Sequence, residues 1–244
     1  MYQQFERTRL LFGREAMEKL AASRVAVFGI GGVGGYVVEA LARCGVGALD
    51  LVDNDKVALS NLNRQIIATV DTVGREKTLV MKERILSINP ECRVEVHNCF
   101  YLPETRDLFD FSAYDYVVDA VDTVTAKIDL VMSAGAAGTP IISSMGTGNK
   151  LNPAMFEVSD IYKTSVDSLA RVMRRELKKR GVKKLKVVYS REEPVRTGEA
   201  ERLEEVRAAE APSRRSIPAS NAFVPPSAGL LIASEVIRDL TGAW

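Results

Sequence analysis

The sequence predicts an α/β fold built on a doubly wound, mostly parallel sheet with a C-terminal crossover extension. Two observations support this prediction. Short apolar runs alternate with segments of helical periodicity between residues 24 and 144, and this alternation is typical of parallel sheets covered by helices. A glycine-rich loop at residues 29–35 joins the first apolar run to the first long helix, as in nucleotide-binding β-α-β units.

The elements of the predicted core follow one another in a regular order. Two short amphipathic helical segments are expected within residues 8–22, with a break near Gly13. The first β-α-β unit is expected as a strand at 24–28, a helix at 33–44 and a strand at 49–52. The remaining elements are expected as a helix at 74–88, a strand at 93–97, a strand at 114–120, a helix at 125–137 and a strand at 140–144.

The character of the chain changes after Lys150. The extension is expected to contain a basic helix at 165–180, a strand at 185–189 and an apolar helix at 223–240. Residues 191–216 are rich in Glu, Arg, Ala and Pro, a composition typical of a mobile loop. Because there is no internal repeat and no clear linker, we expect one domain over residues 1–244. Its nucleotide-binding core covers about residues 20–150, and its basic, substrate-side extension about residues 151–244.

Bulk composition excludes several classes of protein. A hydrophobic fraction of 46% and a charged fraction of 27% are typical of globular proteins. No uninterrupted apolar run of about 18 residues occurs, so no membrane span is expected, and the N-terminus has no apolar signal core, so we expect a cytoplasmic protein. The three cysteines, Cys44, Cys92 and Cys99, form no Cys-x-x-Cys pair, which argues against a disulfide scaffold. His97, the only histidine, is expected to be structural.

The glycine loop predicts a bound nucleotide. Its glycines, Gly29, Gly31, Gly32 and Gly34, precede a helix N-terminus, which presents unpaired N–H groups and a partial positive charge to a phosphate. Asp53 ends the next strand, where its carboxylate is placed to accept hydrogen bonds from a ribose. These elements serve NAD and adenosine nucleotides equally, so the loop alone does not choose between them.

The residues that follow Asp55 favour nucleotidyl transfer. Arg64 and Lys77 are not needed over a nicotinamide cofactor, whereas they would neutralise a triphosphate as its α-phosphorus is attacked. Asp122 ends the fourth predicted strand, where a carboxylate can hold Mg²⁺ against phosphates. Singly, Lys77 could be a solvated helix residue and Asp122 a helix cap, but their order along the chain favours ATP.

This ordered set resembles the ubiquitin-activating-like adenylating family, which includes the sulfur-carrier activators of molybdopterin and thiamine synthesis. The resemblance rests on the glycine loop, Asp53-x-Asp55, Asn61-x-x-Arg64-Gln65, Lys77 and Asp119-x-x-Asp122. It implies a Rossmann-like sheet that binds ATP and adenylates a carboxylate. It also implies that Asp53 holds the ribose, that Asn61, Arg64 and Lys77 contact phosphates, and that Asp122 binds Mg²⁺. The family acts as dimers, and Arg7, in Phe5-Glu6-Arg7-Thr8, is the candidate for an arginine that reaches the site of a second copy in a homodimer.

The C-terminal half resembles one branch of that family, the tRNA threonylcarbamoyladenosine dehydratases. The resemblance rests on residues 146–153, 160–164, 170–177 and 188–192. It implies that ATP activates the threonine carboxylate of a modified adenosine in tRNA, which then closes into a ring with loss of water. A monovalent cation, Na⁺ or K⁺, is a further expectation near the loop at residues 146–149.

The cysteines bear on the choice between branches. No cysteine follows Cys99, so capture of the adenylate by a protein thiol is not expected. The chain also has no pair of Cys-x-x-Cys motifs for a structural zinc ion. Some members of the family have a cysteine just before the Ala219-Ser220 element, where this chain has Pro218. A sulfur-relay role is therefore not supported, and a sulfur-transfer partner stays an open alternative.

A concentrated run of basic residues predicts the tRNA-binding side. A stripe of like charge attracts a phosphate backbone even when net charge is only +1, although such a stripe can also be a plain solvated helix face. The predicted tRNA contacts are Lys163, Arg171, Arg174, Arg175 and Lys178.

Three other functions stay open at the level of sequence. The runner-up is an activator of a ubiquitin-like or sulfur-carrier protein, against which the missing thiol and zinc motifs argue. The others are an NAD-dependent oxidoreductase, disfavoured by Arg64 and Lys77, and a nucleotide-binding adaptor that binds ATP without turnover.

Overall fold

A computed structural model describes residues 3–195 and 218–244 of the chain. Within these ranges seven strands form one sheet in the order β3-β2-β1-β4-β5-β7-β6. The strands are β1 (Arg24–Phe28), β2 (Ala48–Val52), β3 (Arg93–His97), β4 (Tyr116–Asp119), β5 (Ile141–Ser144), β6 (Phe156–Asp160) and β7 (Lys186–Ser190). All neighbouring pairs are parallel except β6 and β7, which confirms the predicted mostly parallel α/β sheet.

Helices cover both faces of this sheet, as expected for strands with apolar side chains on both sides. The helices are α1 (Glu6–Phe12), α2 (Arg14–Ala22), α3 (Gly34–Arg43), α4 (Lys77–Ile88), α5 (Val124–Ala137), α6 (Ser168–Lys179) and α7 (Val224–Thr241). Along β1, Val25 and Val27 join one buried cluster while Ala26 and Phe28 join another. This alternation follows from the two-residue period of a strand, and it shows that both faces of β1 are buried.

One strand, β6, was not predicted from the sequence. β6 forms the antiparallel edge of the sheet beside β7, and all five of its residues are half-buried. Phe156 and Val158 alternate with Glu157 and Ser159, so a strand pattern is present, but with only two apolar residues it is a weak signal. Of the loop predicted at residues 191–216, the part from residue 196 lies outside the described residues.

The C-terminal helix packs directly against the start of α3. A Cβ at Gly229 in α7 would lie 2.4 Å from the carbonyl oxygen of Val33, so only glycine allows this approach. Pro225, at the start of the same helix, lies beside Gly32, where a Cβ would come within 3.2 Å of its Cβ. α7 therefore supports the turn that leads into α3.

Two predictions about minor features can be compared with the structure. His97 is structural: its Nε2 lies 3.2 Å from Asp50 Oδ2, and hydrogen bonds from His97 and Arg24 outweigh burial and hold the pKa of Asp50 below its ordinary value. In the described part of the chain, no helix is long and apolar enough to cross a membrane.

Candidate active site

The glycine loop is shaped by two close backbone approaches. Gly29 has a φ of +91°, and a Cβ there would lie 2.7 Å from the carbonyl oxygen of Ala120. A Cβ at Gly34 would lie 1.8 Å from the carbonyl oxygen of Gly29. Any side chain at these positions would push the loop away from β4. The loop therefore lies against the segment that leaves β4, and the N-terminus of α3 begins directly beside it.

Asp53 ties the glycine loop to the end of β2. The backbone N–H of Ile30 donates to Asp53 Oδ2 at 2.6 Å, and the N–H of Asp55 donates to Oδ1 at 2.8 Å. Burial raises the pKa of Asp53, and the positive charge of Lys77 opposes that rise. Each carboxylate oxygen can accept a second hydrogen bond, so the fixed side chain is suited to receive ribose hydroxyls.

Lys77 is a nearly buried ammonium group at the first residue of α4. Only 5% of Lys77 is exposed, and its Nζ donates to Asp55 Oδ2 at 2.7 Å. The Lys77 backbone N–H also donates to the carbonyl oxygen of Asp55 at 3.1 Å. The Asp55 side chain is 60% exposed, so it is a partner that a phosphate group could displace. Contrary to the solvated-helix alternative, Lys77 is therefore buried and lies beside the carboxylates that end β2.

Residues 64–66 cover the glycine loop. A Cβ at Gly32 would lie 3.4 Å from Arg64 Cγ, so the stem of Arg64 runs across the loop. The Arg64 guanidinium donates to the carbonyl oxygen of Ser60 at 3.0 Å and to Asn63 Oδ1 at 2.8 Å. Arg64 is thereby held beside Gly32 of the glycine loop.

Asn61 has a local role in shaping this cover. Its Oδ1 accepts the backbone N–H of Ala58 at 3.1 Å, and its carbonyl oxygen accepts the N–H groups of Arg64 and Gln65. Asn61 is 9% exposed. Because the amide oxygen is used inside the turn, only the NH₂ end of Asn61 is suited to a phosphate.

The two aspartates at the end of β4 differ in environment. Asp119 is fully buried, accepts a hydrogen bond from Lys127 Nζ at 3.0 Å, and also bonds Ser143 Oγ. Lys127 Nζ donates in addition to the carbonyl oxygen of Val121 at 3.0 Å. Asp122 is exposed. Asp119 and Lys127 thus fix the loop that leaves β4, and Asp122 is the carboxylate that this loop presents to solvent.

Sequence reasoning missed two buried lysines near this edge of the sheet. Lys127 lies between the apolar residues Ala126 and Ile128 near the start of α5, and that contrast was the signal available in the sequence. Lys150, 4% exposed, has its Nζ 3.5 Å from Asp167 Oδ2 and 3.4 Å from the carbonyl oxygen of Ser190. It follows Asn149, which has a φ of +58°. Lys150 therefore links the loop after β5 to the start of α6.

Arg7 lies outside this cluster in a single chain. It is exposed on α1, which packs on α2. Leu10 and Leu11 on the same helix are 80% and 79% exposed. At three and four residues from Arg7, both leucines lie on its side of the helix.

The predicted tRNA contacts fall into two groups. Lys163, Arg171, Arg175 and Lys178 are exposed. Arg174 is half-buried, and its guanidinium donates to the carbonyl oxygen of Thr164 at 2.9 Å and to the Thr164 hydroxyl. Arg174 therefore holds the segment before α6 in place. Its position in a basic run did not indicate this structural role.

Glu176 offsets part of the positive charge on α6. It lies within 3.2 Å of Arg175, 2.9 Å of Lys179 and 3.0 Å of Arg180. Hydrogen bonds from Lys179 and Arg180 lower the pKa of Glu176 to about 2. The basic stripe is therefore less positive than a count of its lysines and arginines suggests.

One curated protein and two crystal structures of a second protein are similar to this chain over nearly its whole length. A Bacillus subtilis protein named tRNA threonylcarbamoyladenosine dehydratase is 46% identical over 98% of this chain and 95% of its own length. The crystal structure of E. coli tRNA N6-threonylcarbamoyladenosine dehydratase in complex with AMP has a TM-score of 0.87 and 34% identity, covering 98% of this chain and 94% of that one. The same enzyme in complex with ATP gives a TM-score of 0.86 at 33% identity, with the same coverage.

A family model agrees with these pairwise similarities. The model described as the ThiF family matches residues 5–243, which include the glycine loop, the cover at residues 64–66 and α7. The chain belongs to the ThiF family, and it is similar over nearly its whole length to members named tRNA threonylcarbamoyladenosine dehydratases.

Proposed function

We propose that this protein catalyses the ATP-dependent dehydration of threonylcarbamoyladenosine in tRNA, by ring closure through an acyl adenylate. The observation that carries the proposal is the edge of the sheet where Asp53, Lys77 and Arg64 surround the glycine loop. The 46% identity to the Bacillus subtilis dehydratase over 98% of the chain supports the choice of substrate.

The first step is transfer of an adenylyl group to the substrate. The threonine carboxylate attacks the α-phosphorus of ATP, and pyrophosphate leaves as the bond between the α- and β-phosphates breaks. Asp53 holds the ribose, while Lys77, Arg64 and the NH₂ end of Asn61 contact the phosphates. Fixed positive groups stabilise the charge that develops on the phosphates, and one such group typically contributes about 10²–10³-fold in rate.

The loop after β4 fits a magnesium ion. Mg²⁺ is usually bound by one or two carboxylates together with phosphate oxygens, and Asp122 is an exposed carboxylate on a loop that lies against Gly29. Residues 3–195 and 218–244 contain no cluster of three metal-binding side chains, so Asp122 and the phosphates of ATP would share the ion. When bound, Mg²⁺ would neutralise phosphate charge at this edge.

The second step closes the ring within the substrate. The carbamoyl group attacks the activated carbonyl carbon, loses a proton, and expels AMP, which carries away one former carboxylate oxygen. The net change is the loss of one water. The step is intramolecular, so proximity replaces a protein nucleophile. Burial raises the pKa of Cys92 to about 11, which keeps that thiol protonated and is consistent with a reaction that needs no thiolate.

The reaction can be followed directly. The protein is incubated with ATP, Mg²⁺ and tRNA that carries threonylcarbamoyladenosine, and we expect AMP together with a nucleoside lighter by one water. Unmodified tRNA is the control and should release no AMP above background. Failure to form the lighter nucleoside on properly modified tRNA would contradict the proposal. Pyrophosphate exchange stimulated instead by a small protein that ends in Gly-Gly would favour the runner-up, a carrier-protein activator.

We further propose a homodimer in which Arg7 reaches the second copy's ATP site. The adjacent, exposed Leu10 and Leu11 beside Arg7 support a contact surface on α1, because exposed apolar patches can mark protein–protein contacts. Arg7→Ala and Lys77→Ala proteins are each expected to lose most of their activity, and mixing them should restore part of it. Mixed dimers then contain one site with both residues intact. If activity does not recover after the subunits have exchanged, Arg7 does not act in the ATP site of the second copy.

The exposed basic residues around α6 are proposed as the tRNA-binding face, and a cytoplasmic location is proposed with it. A monovalent cation near residues 146–149 stays a prediction. The same holds for a sulfur-transfer partner, which the chemistry above does not require.

A further inference from the structure

One polar atom beside the glycine loop has no partner. Gln65 is 6% exposed, and its side-chain Oε1 is buried without a hydrogen bond. Its amide lies over the loop, since a Cβ at Gly31 would be 4.0 Å from Gln65 Nε2. Buried carbonyl groups are nearly always paired, because leaving one unpaired costs free energy.

The position of Gln65 is fixed by its surroundings. Its backbone N–H donates to the carbonyl oxygen of Asn61 at 2.9 Å, and its own carbonyl oxygen accepts the N–H of Ala68 at 3.0 Å. On its two sides, Arg64 lies against Gly32 and Ile66 against Gly35, at 3.4 and 3.3 Å from the positions of a Cβ. The amide with its unpaired oxygen is therefore held at the centre of the cover over the glycine loop.

We infer that Gln65 is a further ligand-contacting residue of this site, whose side-chain carbonyl accepts a hydrogen bond from the bound reactants. The inference rests on the proposed function for the identity of those reactants. Phosphate and carboxylate oxygens only accept hydrogen bonds, so they cannot pair with this carbonyl. The groups that can donate include the ribose hydroxyls and the adenine amino group of ATP, and the N–H groups and the hydroxyl of the threonylcarbamoyl substituent.

This role predicts opposite effects on stability and on binding. Gln65→Met has a similar length without the amide, so it removes an unpaired carbonyl from the free protein. The melting temperature should be unchanged or higher, while affinity for the reactant that supplies the donor should fall about tenfold. A residue that only supported the fold would lose stability when its amide is removed. Functional residues commonly show this trade-off between stability and activity.

A matched control is available on the other side of the molecule. Thr139 is also buried, but its hydroxyl donates to the carbonyl oxygen of Phe111 at 2.7 Å. Thr139→Val removes a satisfied hydrogen bond, so it should lower the melting temperature and leave ATP affinity and turnover per folded molecule unchanged.

Two arms identify the donor in the full-length protein. In the first, the affinities for ATP, 2′-deoxy-ATP and 3′-deoxy-ATP are measured for wild type and Gln65→Met. If a ribose hydroxyl is the donor, the wild type loses affinity for one deoxy analogue and the variant loses nothing further. In the second, turnover is measured with modified tRNA at saturating ATP. If a carbamoyl N–H is the donor, ATP affinity is retained and kcat/KM for modified tRNA falls about tenfold.

Two results would overturn the inference. Gln65→Met either matches the wild type in both arms, or it loses stability together with all activities. These outcomes differ from failure of the proposed function, in which the wild-type protein itself forms no cyclised nucleoside.

Discussion

The nucleotide edge of the sheet and the basic face of α6 are built in different ways. At the nucleotide edge, the side of the sheet that carries the glycine loop, Lys77 and Asp119 are buried and Asp53 is half-buried, and each makes defined hydrogen bonds. On α6 the charged groups are mostly exposed, and Glu176 gathers three cations around itself. The first region has its polar groups fixed in one geometry before any ligand binds, while the second presents exposed positive charge at the surface. The difference suits a small ligand in one place and a polyanion in the other.

The strongest way to break the nucleotide edge is to remove Lys127. Lys127→Met leaves the Asp119 carboxylate buried without its cation, and loss of one partner of a buried ion pair typically costs about 3–5 kcal/mol. We expect the free energy of unfolding, measured by urea denaturation, to fall by about that amount. The double variant Lys127→Met with Asp119→Leu should recover part of the loss. If the single variant is as stable as the wild type, the pair does not hold this loop.

Lys77→Ala should give the next largest effect, and on activity more than on stability. Loss of a positioned cation at a developing phosphate charge is expected to lower kcat/KM for ATP by about 10²-fold, measured by AMP release. Lys82→Ala, on the same helix, is the control and should stay close to the wild type. Equal activity of the two variants would show that Lys77 only stabilises the end of β2.

The basic face should respond in a graded manner. Replacing Arg171, Arg175 and Lys178 together by Gln should weaken tRNA binding roughly tenfold at low salt and leave ATP affinity unchanged. The slope of log affinity against log salt should also become shallower, by about one for each phosphate that is no longer neutralised. Arg174 is left in place because it bonds Thr164. If the salt slope is unchanged, these three residues do not contact tRNA, and the tRNA-binding surface lies elsewhere.

The smallest effect is expected from Glu176→Gln. Removing this carboxylate frees Arg175, Lys179 and Arg180 from its charge, so tRNA affinity should rise by roughly twofold at low salt and converge with the wild type at high salt. Filter binding over a salt series measures it. A loss of affinity would mean that Glu176 orients these cations rather than offsetting them.

The same contrast explains how far the sequence could be interpreted. β1 and β3 were predicted with the bounds observed, because buried runs next to turn residues give a clear signal. The glycine loop and Asp53 were placed correctly at strand ends, since their order along the chain dictates that position. The one-domain organisation over residues 1–244 stays a prediction, although strands from both halves share one sheet.

The parts that the sequence could not predict depend on tertiary partners. Asp119 and Asp122 are the same residue type three positions apart, and only packing shows that the first is buried against Lys127. Arg174 is one of several arginines on α6, and only the fold shows its bond to Thr164. Likewise, only the folded structure shows that the side-chain oxygen of Gln65 is unpaired and that its amide lies beside the glycine loop.

The close contact of Gly229 with Val33 has a mechanical consequence. Because α7 lies directly beneath the turn that enters α3, the far end of the chain sets the height of the surface on which phosphates would rest. Gly229→Ala would add a methyl group that pushes this turn away from α7. ATP affinity should therefore be sensitive to changes at Gly229, which lies on α7 rather than in the glycine loop.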